Sequence, residues 1–137
     1  MPIRLRVNSK RRLVTVIVEG KLTVQDVAVC IKQQQADPAD SKFTQLVLIS
    51  HRAAAMTVSE INDLAQVCND LCPTNGNRCA IVSFTEVHYG QSRIFLSYRN
   101  SSADQLKVFR DVKEALLWLG VDSDAAIVEF EMAIALS

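Results

Sequence analysis

Three times along this chain a short aliphatic run gives way to a stretch of helical periodicity, and that alternation limits the fold more than any other feature. The runs are Gln45 to Ile49, Cys79 to Val82 and Leu106 to Phe109, and the helical stretches behind them begin near Thr57, Glu86 and Val112. Strands joined through helices pair in parallel by right-handed crossovers. The expected class is therefore α/β, with a mostly parallel sheet of about five strands and four helices. An antiparallel N-terminal hairpin should form its edge. Ile3, Leu5 and Val7 alternate with Arg4, Arg6 and Asn8, the turn falls at Asn8-Ser9-Lys10-Arg11, and Leu13 to Val18 is a second run ended by Gly20.

The helices can be phased in the same way. Thr23 stands at an N-cap position, with Asp26 three residues on, and Val24, Val27, Ala28 and Ile31 share one face of a helix that runs to about Gln35. Helix two carries Val58, Ile61, Leu64, Ala65, Cys68 and Leu71 or Cys72 in an i, i+3, i+4, i+7 series and ends at Pro73-Thr74-Asn75-Gly76-Asn77. Helix three carries Val87, Ile94, Phe95 and Tyr98. Within it, Gly90 costs about 1 kcal/mol relative to Ala, so a close neighbour is expected there. Helix four turns Val112, Ala115, Leu116 and Leu119 inward. Gln45 to Ile49 is apolar on both faces, which suits a central strand covered on both sides.

Residues 1–120 read as one domain, and 121–137 as an apolar tail. In the tail, Val128, Phe130, Met132, Ile134 and Leu136 alternate with Glu129, Glu131, Ala133 and Ala135. That is a strand pattern, with a helix capped by Ser123 as the alternative. A segment this apolar needs cover, from its own sheet edge or from a second subunit in a homodimer.

Charge removes several function classes. Fifteen basic and fifteen acidic residues cancel, and the pI is about 6.7, so no global field draws polyanions and no nucleic-acid partner is expected. Lys10-Arg11-Arg12 reads as a hairpin tip. No apolar stretch is long enough to span a bilayer, and the first residues lack a signal peptide's apolar core, so a cytoplasmic location and no integral membrane segment are expected. Cys30, Cys68, Cys72 and Cys79 sit among aliphatic neighbours, as small core residues do. Cys68 and Cys72 would supply half a zinc site, but the only histidines, His51 and His88, stand apart in sequence. No metal or cofactor is expected.

The candidate site is the corner where the first of those runs releases the chain into helix two. Thr57 and Ser59 offer hydroxyls for phosphorylation, yet Thr57 with Glu60 is also the capping box S/T-x-x-E, which explains both residues without regulation. Ser50, His51 and Arg52 follow the strand. His51 and Arg52 can meet an anionic group beside the free amides of helix two if the loop bends, and otherwise they cap the strand end and face solvent. Tyr89 and Arg93, one helical turn apart with His88 and Arg99 nearby, form either one polar wall of a cleft or an outer helix face. No nucleophile elbow, phosphate loop or dinucleotide glycine motif is present, and no enzyme is expected.

With these residues in place, the chain resembles the STAS-like fold, and within it the SpoIIAA-like family. The resemblance rests on Gly20-Lys21-Leu22-Thr23, on Leu46 through Arg52, on Ala80-Ile81-Val82 with Tyr89-Gly90-Gln91-Ser92-Arg93-Ile94-Phe95, and on Val108-Phe109-Arg110-Asp111 with Glu114 through Leu119. It implies a non-enzymatic domain used for protein-protein switching, or in some relatives for holding a lipid-like ligand. The family's antagonists carry a phosphorylated serine in an Asp-Ser-x-Gly turn. Here Ala53 through Glu60 has neither the Asp-Ser pair nor the glycine, and Ser50 stands where relatives show an aspartate. The expected function is a protein-interaction module, with a protein partner or a second copy. The alternative is a carrier of an apolar ligand in a void lined by Val58, Ile61, Ile94 and Phe95, with Arg52 or Arg93 on its anionic head group. A void would favour the carrier; a filled core with an exposed apolar patch would favour the module.

Overall fold

Five strands form one sheet in the order β1-β2-β3-β4-β5. In the computed structural model the elements are β1 (Ile3–Asn8), β2 (Leu13–Gly20), α1 (Val24–Ala36), β3 (Thr44–Ala53), α2 (Val58–Leu71), β4 (Cys79–Ser83), α3 (Glu86–Tyr98), β5 (Leu106–Phe109) and α4 (Val112–Leu119). The structure describes residues 2–36, 43–71, 77–100 and 105–121. The tail beyond residue 121, Cys72 and the loop at 37–42 lie outside them.

β1 and β2 pair antiparallel, and β2 through β5 are parallel. The hairpin turns where the sequence places it. Asn8 Oδ1 accepts the Arg11 N–H at 3.1 Å, and Arg12 takes the left-handed conformation at φ 55°.

The helices split between the two faces of the sheet. Among the described residues α4 alone packs on one, where Val112, Ala115, Leu116 and Leu119 close over Leu13, Ile17, Leu46, Leu48, Ala80, Val82 and Phe109. Its ends are well defined: the Asp111 carboxylate accepts the Lys113 N–H at 2.8 Å, and Gly120 at φ 74° ends the helix in the left-handed conformation. On the other face α1, α2 and α3 lie side by side, with Cys30 joining Val14, Val16, Val18 and Phe43 in a second cluster.

Three expectations need correction. β3 does not stop at Ile49 but continues to Ala53, because β2 pairs Val18 with Ile49 and Gly20 with Ala53, which leaves extra β3 residues as a bulge. α3 turns His88 and Ser92 inward, while Val87 is 60 % exposed. Hydrophobicity alone misplaced the start of this helix: Phe95 does turn toward the sheet, but the residues it buries most deeply are the polar His88 and Ser92. In α1 the buried residues are Cys30 and Ile31, and Val24 is exposed.

Gly90 is the further correction. It is exposed, and a Cβ built there meets nothing within 4 Å, so no close approach explains the glycine. Gly90→Ala should therefore stabilise the protein by about 1 kcal/mol through helix propensity and a less flexible unfolded chain. Equilibrium urea denaturation checks this. Destabilisation would mean that something does meet that position.

Candidate functional site: a cavity beneath α1 to α3

The two faces of β3 are buried unequally. On the α4 side Leu46, Leu48 and Ser50 are sealed at 1 %, 0 % and 0 % exposure, whereas Gln45, Val47 and Ile49 on the other side are only half-buried. A central strand with helices over both faces normally has both sealed. Among the described residues the space between the sheet and α1 to α3 is only partly filled, and a half-open cavity of about 270 Å³ lies there. Val16, Val18, Val47, Ile49 and Ile81 form its floor. Cys30 and Ile31 of α1, Ile61, Leu64 and Cys68 of α2 and Phe95 of α3 line it from above.

Short polar side chains help to leave this room. α3 docks on the sheet partly through the Ser83 and Ser92 hydroxyls, 2.8 Å apart and both buried. A serine pair links helix to strand with little bulk, where paired leucines would fill the gap. Nearer the ends of β2 and β3 the wall is small as well, with Gly20, Ala53 and Ala54.

His88 fixes that end. Its Nε2 lies 2.8 Å from the Ala53 carbonyl oxygen. A carbonyl only accepts, so Nε2 carries the proton and donates, and Nδ1 is left as an acceptor, buried and without a partner. The His88 backbone N–H donates to the N-cap Thr85 Oγ1 at 3.1 Å, and Gln91 Nε2 donates to the Met56 carbonyl at 3.3 Å. Three bonds thus tie the start of α3 into its own cap and to the chain leaving β3.

The opposite end of the cavity, where β3, β4 and β5 begin, is polar. Gln34, Gln45, Asn77, Arg78, Arg99 and Gln105 line it, and Gln45 Nε2 donates to Gln34 Oε1. The wall thus grades from apolar to hydrogen-bonding along the strand direction.

The candidates from sequence sit outside this cavity. The Ser50 Oγ accepts the Arg52 N–H at 3.2 Å inside the β3 bulge, and the His51 ring stacks on Phe84 with centroids 5.8 Å apart. His51 and Arg52 are exposed, and neither lines the void. Tyr89 and Arg93 meet each other instead, with Arg93 Nη1 3.5 Å from the Tyr89 hydroxyl, while Arg110 lies 4.4 Å above the Tyr89 ring. Of the four residues expected to line a void, Ile61 and Phe95 do so. Val58 is 53 % exposed, and Ile94 is not in the wall. The pattern missed α1 as a wall, and of the group around Tyr89 it is His88 and Arg99, named there only as neighbours, that line the cavity. Gln45, a polar residue opening an aliphatic strand, was the one signal of the polar end.

Thr57 caps α2. The Glu60 N–H donates to Thr57 Oγ1 at 3.2 Å, and the Thr57 N–H donates to Glu60 Oε1 at 3.0 Å, the reciprocal pair of a capping box. Ser59 is exposed in the first turn. The Thr57 backbone bond, then its hydroxyl, and then nearby Lys21 hold the Glu60 carboxyl below its ordinary 4.5, against a small opposing effect of burial. Thr57→Ala should cost about 1 kcal/mol at neutral pH. A carboxyl whose folded pKa is depressed adds stability above its unfolded pKa and loses it as pH falls through the folded one. The difference between wild type and Thr57→Ala should therefore shrink below pH 4.5, which urea denaturation at pH 7 and in acid would show.

Among the described residues no cluster of three or more His, Cys, Asp or Glu is placed to hold a metal ion, and no helix is long and apolar enough to cross a membrane. No protein family matches the chain, and no curated protein or solved structure is significantly similar to it.

Proposed function

We propose that this protein is a non-enzymatic binder of a small apolar molecule, held between the sheet and helices α1 to α3. One observation carries the reading: the apolar cavity of about 270 Å³ against the half-buried face of β3. Protein interiors are packed to crystal density, so a partly open apolar space of this size leaves dispersion and hydrophobic contacts for a ligand to make. Its volume lies just below the range usual for small-molecule sites. A SpoIIAA-like origin belongs to the same proposal. The order of strands and helices supports it, as do the residues from Gly20 to Leu119 that carry the resemblance.

Native mass spectrometry of the freshly purified protein, followed by addition of octan-1-ol, tests the reading. It predicts a mass excess that disappears on denaturation, or one-to-one uptake of octan-1-ol. A protein that arrives empty and takes up none would contradict it.

A second reading, a protein-interaction module, draws on a separate observation. Val24, Val58 and Val87 are all exposed in the first turns of α1, α2 and α3, along the rim where those helices leave the sheet. A partner or a second copy covering that rim would protect these valines. The same spectra would then show a dimer without a passenger.

A further inference from the structure

We infer that the ligand is a monocarboxylate with a short aliphatic chain, and that Arg99 holds its carboxylate at the polar end of the cavity; this rests on the binding reading above. The wall's charge comes first. The chain has as many acidic as basic residues, yet the lining contains Arg78 and Arg99 and none of the described carboxylates. A single sign of charge beside an apolar space suits a ligand that brings the other sign.

The two arginines are held differently. Arg78 Nη1 donates to the Trp118 carbonyl at 2.5 Å, and its guanidinium lies 5.1 Å from the centroid of the Trp118 ring, so it is engaged on the α4 side of the sheet. Arg99 is braced by a neutral group. Its Nη1 donates to Asn69 Oδ1 at 2.7 Å, and that oxygen also accepts the Asn100 N–H at 3.0 Å while Asn69 Nδ2 donates to the Tyr98 carbonyl at 3.0 Å. The amide is locked by its own bonds, so it orients the guanidinium without cancelling its charge. No described carboxylate lies within ion-pair distance of Arg99. A half-buried guanidinium with donors to spare matches a carboxylate in a two-pronged, charge-assisted pair. One such fork suits one negative charge.

The size of the space favours a short chain. At about 270 Å³ and partly open, the cavity lies at the lower end of small-molecule sites. Octanoate is a probe of that class, with its tail placed under α2 toward Ile49 and Ile61 and its head at Arg99.

Isothermal titration with octanoate and octan-1-ol on the full chain, and on Arg99→Gln, tests the assignment. The wild type should bind octanoate about ten-fold more tightly than the alcohol, and Arg99→Gln should lose that preference while keeping its affinity for the alcohol within about two-fold. Equal wild-type affinity for the two would overturn the carboxylate assignment and leave the apolar reading standing. A preference that survives in Arg99→Gln would overturn the role of Arg99. If neither compound binds the wild type, both the head-group assignment and the binding reading fall. The wild-type comparison decides the ligand class even if the variant does not fold.

Discussion

Leu48→Ala should destabilise the protein by about 3–5 kcal/mol, whereas Ile49→Ala, one residue further along the same strand, should cost only about 1–2 kcal/mol. Leu48 has no exposure and sits in the cluster that α4 closes, with Leu46, Ala80 and Val82 around it. Its removal leaves a new hole in a filled layer. Ile49 is half-buried at the edge of the second cluster and borders the cavity, so truncating it removes fewer contacts. For a domain of this size the larger change would lower the melting temperature by roughly 10–15 °C. Equal losses at the two positions in thermal and urea denaturation would mean that the layer beneath α1 to α3 is as well filled as the layer beneath α4.

Filling the cavity gives the other large effect. Val47 lies on the floor, halfway along β3, and is half-buried. Val47→Phe places a ring where the ligand would lie, and octan-1-ol affinity should fall about a hundred-fold. Stability should hold within about 1 kcal/mol of wild type, because overpacking is costly only where space is lacking. A loss of several kcal/mol would show that the space does not exist in solution. Unchanged affinity with unchanged stability would place the ligand elsewhere.

These two predictions also mark what the sequence does and does not disclose. The order of elements was legible because strand and helix periods differ, and α4 was read residue by residue because its inward face is wholly apolar: Val112, Ala115, Leu116 and Leu119 are all buried. α3 resisted the same treatment. Its fully buried residues are His88 and Ser92, and a hydrophobic pattern cannot reveal contacts secured by hydrogen bonds to Ala53 and Ser83.

The site was harder still. A cavity is a difference between the space that a backbone encloses and the volume of the side chains that enter it. No local run of residues encodes that difference. Ser50, His51 and Arg52 attracted attention because they interrupt an apolar strand, but a bulge accounts for them: Ser50 Oγ takes the Arg52 N–H, and His51 rests on Phe84. Arg99 lies at the C-terminal end of α3, thirty residues from its brace Asn69, and only the packing of α2 against α3 joins them. The Thr57 to Glu60 pair was readable because a capping box is local in sequence.

The most direct test of the cavity's role is a methyl-labelled NMR titration with octan-1-ol. If the ligand enters between the sheet and α1 to α3, the methyl resonances of Val47, Ile49, Ile61 and Ile81 should shift together and saturate at one equivalent, while those of Leu46, Leu48 and Val82 under α4 stay nearly fixed. Shifts confined to the exposed rim valines Val24, Val58 and Val87, with the cavity methyls unmoved, would contradict the binding account and turn attention to a partner surface.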